Sequence, residues 1–283
     1  MSGLPWILPA LVLVLGLVYF SIGYTVYLST LSWDGTSPIA QPVGAANFVQ
    51  MTKDPSIKQA LEHTVVFYVV TFVIQTALGF SLAAILHTKV KLRTLHKVII
   101  FIPTVLAPAT MAATFRTFFS DTGLLNETLR AVGLGFVAHP WLGDPKTALA
   151  AVMMVTIWQW TGMTFILYFA AMSQIDPEIL EAARIDGAGN LRTLTAIVWP
   201  SCRGTTLVMA ILGLIGAFKT FDWPWLITVG GPGRATEFLG TAIYRQAIRM
   251  HHVGYGAAIS LVLLVLAIGG SILMSVVNKK ADK

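Results

Sequence analysis

Long apolar runs separated by short polar segments are the dominant pattern along the chain. Six runs are long enough to cross, as helices, a hydrocarbon core of about 30 Å. This pattern predicts an all-α polytopic membrane protein, formed by a single domain over residues 1–283. We place the six transmembrane helices at about residues 5–31, 64–87, 98–118, 148–171, 205–228 and 256–278.

The polar segments between the runs differ in charge, and this difference predicts their side of the membrane. Residues 87–97 contain four Lys or Arg residues and no acid, and Lys279 and Lys280 follow the sixth run. Because cytoplasmic loops carry an excess of Lys and Arg, we place both segments in the cytoplasm. The excess is modest, since three arginines lie at residues 234–249, which this orientation puts outside.

Composition supports a membrane protein and excludes several kinds of site. Hydrophobic residues make up 55% of the chain and charged residues 11%, whereas a soluble domain carries about 25% charged residues. The net charge of +6 is explained by basic loops and does not indicate nucleic-acid binding. A single cysteine, Cys202, excludes an internal disulfide and any metal site built from several cysteines. The N-terminal run has no basic leader or cleavage site, so we interpret it as an uncleaved span.

No catalytic motif is found in the sequence. It contains no phosphate-binding G-x-x-x-x-G-K-[ST] loop, H-E-x-x-H, C-x-x-C or G-x-S-x-G. The glycines between Gly230 and Arg234 are typical of a turn, and the adjacent His251 and His252 lack a third metal ligand. We therefore expect no enzyme activity, no metal site and no cofactor on this chain. Energy for any transport must come from an ion gradient or from a partner that hydrolyses ATP.

A polar stretch between the fourth and fifth runs predicts two short helices outside the membrane. Pro177 suits the first helical turn, and Asp176 is the expected N-cap. Glu178 and Glu181 place negative charge near the positive end of this helix.

The same stretch has the features of a docking element. Leu180, Ala183 and Ile185 predict a flat face that another protein could approach closely. Gly187 permits a sharp turn, after which residues 191–200 return to the membrane. A solvated connector whose glycines only turn the chain would explain the same residues.

The order of residues here resembles the EAA loop of permeases in binding-protein-dependent ABC importers of the maltose type. E-A-A, D-G-A and I-x-x-P follow one another at the family's spacing, and the matching segment also begins with a glutamate. The residues are Glu178, Glu181, Ala182, Ala183, Asp186, Gly187, Ala188, Ile197 and Pro200. Residues 218–232 resemble a second element of that family, F-x-x-F-D…T-x-G-G-P, and residues 254–258 a third. The resemblance covers about residues 5–278, although the family's basic leader is absent.

The resemblance implies an ABC importer type I permease core in the bacterial cytoplasmic membrane. It implies that residues 174–203 form a cytoplasmic coupling loop, in which Glu181 bonds to the ATPase. Ala182 and Ala183 would permit close approach, and Gly187 would set the angle between the two short helices. The implied partners are a second homologous permease, two cytoplasmic ATPase subunits that bind ATP-Mg, and an extracytoplasmic solute-binding lipoprotein. The implied solute is a carbohydrate, such as an oligosaccharide, a disaccharide or glycerol phosphate.

Aromatic and polar residues on the fourth and fifth spans suit a sugar pathway, because flat rings pack against the C–H faces of pyranoses. Packing between helices or contact with lipid explains the same residues equally well. The candidates are Thr156, Trp158, Gln159, Trp160, Met163, Lys219, Thr220, Phe221 and Asp222.

Charged and helix-breaking residues near the membrane leave alternatives open. Lys219 and Asp222 are three residues apart, so on one helix they would share a face and could pair. That pair suits a solute-facing patch, an interfacial ion pair, or ion coupling in a secondary carrier or channel that acts alone. Pro103 and Pro108 predict a bend that either lines a pathway or serves packing. Arg116 is expected to extend towards the membrane surface.

Overall fold

The structure is a computed structural model that describes residues 4–88 and 90–281. Lys89 of the predicted basic loop therefore lies outside the described residues. The described residues form fourteen α-helices: α1 Leu4–Leu13, α2 Phe20–Ser29, α3 Ala46–Lys53, α4 Pro55–His87, α5 Arg93–Val105, α6 Pro108–Phe118, α7 Leu124–Ala131, α8 Ala148–Met172, α9 Pro177–Ile185, α10 Asn190–Thr193, α11 Trp199–Ser201, α12 Arg203–Phe218, α13 Leu239–Tyr244 and α14 Val253–Ala281.

Short segments of other types connect or continue these helices. Two-residue strands pair antiparallel, β1 (Leu31–Ser32) with β2 (Gln41–Pro42). A 3₁₀ turn forms at Gly135–Val137. The π-helical segments are Val14–Tyr19, Leu194–Val198, Pro224–Thr228 and Arg245–Arg249.

Six spans result when each bent pair of helices is counted as one, which confirms the predicted fold class. Four stretches are continuous and apolar enough to cross a membrane: Trp6–Ser29, Pro55–His87, Ala148–Met172 and Val253–Val277. Two further pairs meet the same criteria but are bent, α5 with α6 by 95° and Asn190–Ser201 with α12 by 63°.

The second spanning helix begins nine residues before the predicted boundary at residue 64. Asp54 caps it by accepting a hydrogen bond from the Ser56 N–H at 2.9 Å, and Pro55 occupies the first turn. Lys58 and Glu62, which come before residue 64, are therefore on the helix itself.

The third span is broken between α5 and α6, at Leu106 and Ala107. Both residues adopt extended backbone angles, with ψ of 129° and 130°. Pro108 explains the break, because a proline disfavours the helical conformation of the residue before it. Pro103 lies within α5 and does not interrupt it.

The predicted continuous fifth span over residues 205–228 is wrong, because α12 ends at Phe218. The chain is non-helical at Thr220 and Phe221, and a π-helical segment begins at Pro224. A proline has no N–H to donate and its ring clashes with the carbonyl four residues earlier, which here belongs to Thr220. Pro224 thus disfavours a continuous helix here, and the break lies at Thr220 and Phe221.

The centre of the molecule is the contact between α4 and α8, which approach closely through glycine. A Cβ added to Gly79 on α4 would lie 2.6 Å from Thr164 Cγ2 and 2.9 Å from the Phe165 nitrogen on α8. Gly162 on α8 approaches α5 in the same way, against the Ile100 carbonyl. Small residues at such contacts are favourable because helices in lipid associate through close packing.

Buried side chains on either side of this contact form two clusters at opposite ends of α4 and α8. The first contains Phe67, Phe119, Val152, Trp223 and Phe238. The second contains Phe80, Phe165, Tyr168, Met172 and Cys202.

Replacing Gly162 by Ala should destabilise the protein. The added methyl would lie 2.7 Å from Thr104 Oγ1 and 3.0 Å from Phe101 Cα, and such overpacking costs about 1–3 kcal/mol. Gly269→Ala is the control, because in the described residues nothing outside its own stretch of α14 lies within 4 Å of the added Cβ. Heating followed by size-exclusion chromatography should show earlier loss of the folded protein for Gly162→Ala alone. Equal loss for both variants would contradict the close contact.

Candidate coupling loop and solute pathway

The first helix of the predicted loop, α9, forms with the expected caps. Asp176 accepts a hydrogen bond from the Glu178 N–H at 2.9 Å at its start. At its end Gly187 has φ +76°, and its N–H donates to the Arg184 carbonyl at 3.1 Å. The Ala188 N–H donates to the Ala183 carbonyl at 2.9 Å. These two bonds form a Schellman motif, which requires a left-handed residue where Gly187 stands.

The flat docking face predicted from Leu180, Ala183 and Ile185 is not formed. Ala183 is only 7% exposed and packs within the chain, and Leu180 lines a half-open cleft beside α9. Ile185, by contrast, is 87% exposed. Leu180 and Ala183, three residues apart, share one side of the helix, whereas Ile185 points away from them.

The exposed surface of α9 combines acidic and apolar groups. Sequence reasoning identified the acidic and small residues but did not identify Ile179, which is 51% exposed. The exposed residues are Pro177, Glu178, Ile179, Glu181, Ala182, Arg184 and Ile185, so one basic side chain is exposed as well. Asp186 and Gly187 are also exposed, and Ala188 is half-buried.

A cavity of about 540 Å³ lies between α9 and the ends of α4 and α8. His87 at the end of α4 lines it, as do Met172 at the end of α8 and Leu180, Glu181 and Arg184 of α9. Helix α9 is thus packed loosely against the spans on this side.

The second half of the loop is anchored to the core. Leu194 and Val198 pack against the cluster that contains Phe80 and Tyr168. Trp199 stands edge-on to the Phe80 ring, with centroids 4.9 Å apart. Ile197 and Pro200 are half-buried in this segment. Trp199 was not identified from the sequence, although a tryptophan beside Pro200 was the available signal.

Gln159, predicted to line the pathway, instead joins three segments inside the chain. Its side chain is 3% exposed, its Oε1 accepts from Trp223 Nε1 at 2.7 Å and its Nε2 donates to the Leu106 carbonyl at 2.9 Å. Thr104 Oγ1 donates to the Gln159 carbonyl at 2.8 Å. Both polar groups of the side chain are therefore used to hold the end of α5, α8 and the segment after α12 together.

The other candidates on α8 lie on different sides of that helix. Thr156 is buried and donates to the Val152 carbonyl at 3.0 Å. Trp158 and Trp160 are 39% and 46% exposed, and Met163 is half-buried. The Trp158 ring stands edge-on to the Phe115 ring, with the two ring centroids 5.2 Å apart.

Lys219 and Asp222 do not form the predicted pair. They lie on either side of the break after α12, both are exposed, and the described residues contain no ion pair between them. Nearby, Thr220 Oγ1 donates to the Gly216 carbonyl at 2.9 Å, and the Phe221 ring stacks on Trp225 at 5.6 Å.

Arg116 was expected to extend to the membrane surface, but its side chain binds within the protein instead. Its Nε donates to the Leu226 carbonyl at 2.8 Å, so it satisfies a carbonyl in the π-helical segment after the break.

An ionic network that sequence reasoning missed holds the opposite end of the molecule together. Glu237 is 2% exposed and pairs with Arg245 and, at 3.8 Å, with Arg234. Burial raises the pKa of the Glu237 carboxyl, and the charges of the two arginines oppose that rise. His63 Nδ1 lies 2.9 Å from the Glu237 carbonyl, which connects α4 to this loop.

Asp54 extends the network to α14. Tyr255 donates its hydroxyl to Asp54 Oδ2 at 3.0 Å. Partial burial acts to raise the pKa of Asp54, but hydrogen bonds from Ser56 and Tyr255 and the charge of Arg234 give a net lowering. The carboxylate is therefore kept ionised where α4, α14 and the loop meet.

Gln159→Leu should strongly lower the stability of the folded protein. It would leave the Trp223 N–H and the Leu106 carbonyl without partners, and each unsatisfied buried group costs about 1–3 kcal/mol. Gln50→Leu, at an exposed position on α3, is the matched control. Thermal unfolding of the purified protein should start several degrees lower for Gln159→Leu, with Gln50→Leu near wild type. An unchanged transition for Gln159→Leu would show that the junction is dispensable.

The whole chain, residues 1–283, matches the family described as binding-protein-dependent transport system inner membrane component. Among curated proteins, it is 36% identical to the probable ABC transporter permease protein YurN of Bacillus subtilis, covering 95% of this chain and 92% of that one. It is 31% identical to the lactose transport system permease protein LacF of Rhizobium radiobacter, covering 94% and 90%.

Among solved structures, the fold is similar to a chain of a bacterial ABC transporter involved in the import of the acidic polysaccharide alginate. The TM-score is 0.85 at 21% identity, covering 99% of this chain and 95% of that chain. With residues 1–283 matched in full, the chain belongs to the family of inner membrane components of binding-protein-dependent transport systems.

Proposed function

We propose that this chain is the permease subunit of an ATP-driven importer for a carbohydrate, in the bacterial cytoplasmic membrane. It would form half of the translocation pathway and couple to the ATPase through residues 174–203. The observation that carries this proposal is the exposed tip of α9, where Ile185 is 87% exposed at the end of a helix with firm caps.

The tip has the chemistry of a docking site for another protein. Ile179 and Ile185 would enter an apolar cleft of the partner, while Glu178 and Glu181 would accept hydrogen bonds at its rim. A buried apolar anchor surrounded by polar contacts is typical of a protein interface. Ala182, exposed between them, permits close approach, whereas Ala183 serves packing within the chain.

The two halves of the loop suit transmission of movement. The Schellman turn at Gly187 fixes the angle after α9, and the segment from Leu194 to Trp199 is packed into the core cluster of α4 and α8. ATP-driven closure of two ATPase subunits, which would carry ATP-Mg, would move α9 as a rigid lever. The anchored second half would then pass the movement to α12 and switch the spans between inward-facing and outward-facing states.

Relatives support the carbohydrate class and the partners. Curated relatives include permeases named for lactose, multiple sugars, sulfoquinovosyl glycerol and xylose/arabinose. A structural neighbour is an alginate transporter in complex with a pentasaccharide-bound periplasmic protein. We infer the same assembly here: a second homologous permease, two ATPases and an extracytoplasmic solute-binding lipoprotein.

We propose Trp158, Lys219 and Asp222 as solute-facing residues, because their side chains are exposed. Thr220, Phe221, Trp160 and Met163 lie near them in sequence and could contribute. Thr156 and Gln159 would act indirectly, by fixing the positions of the helices that surround the pathway.

Gly187→Val should abolish coupling without preventing insertion. Valine at φ +76° is strained by about 1–2 kcal/mol, so the turn would open and α9 would change direction. Gly189→Val is the matched control, because Gly189 has extended angles of φ −67° and ψ 162° that valine adopts readily. ATP-driven uptake in vesicles should fall by about tenfold or more for Gly187→Val only. Normal uptake by Gly187→Val would refute the lever.

The energy source separates the importer from a carrier acting alone. Proteoliposomes containing the chain with its co-purified subunits and binding protein should take up labelled oligosaccharide only when ATP is enclosed. Ionophores that collapse ion gradients should have no effect, since Lys219 and Asp222 are separated by the break. Uptake by the chain alone, driven by an ion gradient without nucleotide, would overturn the proposal.

A further inference from the structure

Two cations converge on one aromatic ring where α5 begins. The Lys97 Nζ lies 3.7 Å from the centroid of the Phe169 ring, and the Arg93 Cζ lies 4.5 Å from it. The His87 ring is 5.9 Å from the same ring. We call Arg93, Lys97 and Phe169 the basic cluster.

The two cations are close together without an acidic partner. Arg93 and Lys97 are four residues apart on α5, and like charges at this spacing repel each other. Within residues 6–88 and 90–277, every ion pair lies elsewhere, at Arg130, Arg234 and Arg245. In the same described part, neither side chain of the cluster makes a hydrogen bond, and Arg93 Nε is buried without an acceptor.

The surroundings of the cluster match the headgroup region of a bilayer. Lys97 is followed directly by the apolar run of the third span, and Phe169 lies three residues before the end of α8. Directly after the cluster along α5, Val98 and Ile99 are 51% and 57% exposed. A lipid lying along α5 would therefore contact apolar side chains with its acyl chains while its headgroup reached the cations.

We propose that the basic cluster binds the phosphate of an anionic phospholipid from the leaflet on the coupling-loop side. The phosphate would offset the repulsion between Arg93 and Lys97 and accept hydrogen bonds from the guanidinium, which suits phosphate geometry. Basic pockets between spanning helices on the cytoplasmic side are suited to anionic headgroups. A membrane lipid is favoured over free phosphate because the apolar side of α5 extends directly from the cluster.

The site also adjoins the coupling loop. His87, beside Phe169, lines the 540 Å³ cavity together with Glu181 and Leu180 of α9. A lipid bound at the basic cluster would thus lie next to the residues that contact α9, the proposed lever. Lipid binding itself does not depend on the transported solute.

The test is native mass spectrometry of the intact complex, purified with its co-purifying subunits and titrated with phosphatidylglycerol or with phosphatidylcholine. The wild type should retain phosphatidylglycerol in preference to phosphatidylcholine. Arg93→Gln with Lys97→Gln should bind phosphatidylglycerol about tenfold or more weakly, because each cation near the surface contributes about fivefold. The charge-preserving exchange Arg93→Lys with Lys97→Arg should retain most of the binding.

Lys91→Gln with Arg203→Gln is the charge-matched control, since both residues are exposed and outside the cluster. Its affinity should equal that of the wild type; an equal loss would mean only general attraction to a charged surface and would overturn the proposal. Unchanged binding by Arg93→Gln with Lys97→Gln would also overturn it. Displacement of phosphatidylglycerol by millimolar inorganic phosphate would contradict the assignment to a lipid.

Discussion

Within a bilayer, each backbone N–H and C=O needs a partner inside the protein, because no water is available to supply one. The break in the third span exposes the Leu106 carbonyl, and the Gln159 amide satisfies it at 2.9 Å. The oxygen of that amide accepts a hydrogen bond at 2.7 Å from Trp223 Nε1, which lies after the break at Thr220 and Phe221. Arg116 satisfies the Leu226 carbonyl in the same region. Two interrupted helices are therefore tolerated because they are placed against each other.

This arrangement separates a tightly packed part of the molecule from a loosely packed one. Glycine contacts fix α8 against α4 and α5, and the Glu237 network closes the end where α14 begins. At the opposite end, the cleft beside α9 leaves that helix with few contacts on one side, while Trp199 holds the following segment against Phe80 and Tyr168. The proposed lever would require this contrast between weak and strong packing.

Apolar length predicted the number of spans but not all of their bounds, and cap residues such as Asp176 and Gly187 predicted the ends of α9, because both signals act locally. The breaks in the third and fifth spans were harder to predict from the sequence. Pro224 was visible in the sequence, but its effect on Thr220, four residues earlier, was overlooked. The role of Gln159 could not be read from one sequence at all, since it depends on how α8 is rotated about its axis. Pairing of Glu237 with Arg245 likewise depends on a loop that returns across α4.

Cys202, the only cysteine in the sequence, is 1% exposed within the cluster of Phe80 and Tyr168. A thiol enclosed in this way reacts slowly with polar labelling reagents, which attack accessible thiolates. A single cysteine introduced at an exposed position would thus be the one fast-reacting thiol in this subunit. Spin labels or fluorophores could be placed along the chain without first removing the native residue, so distances within a working assembly become measurable on otherwise unaltered protein.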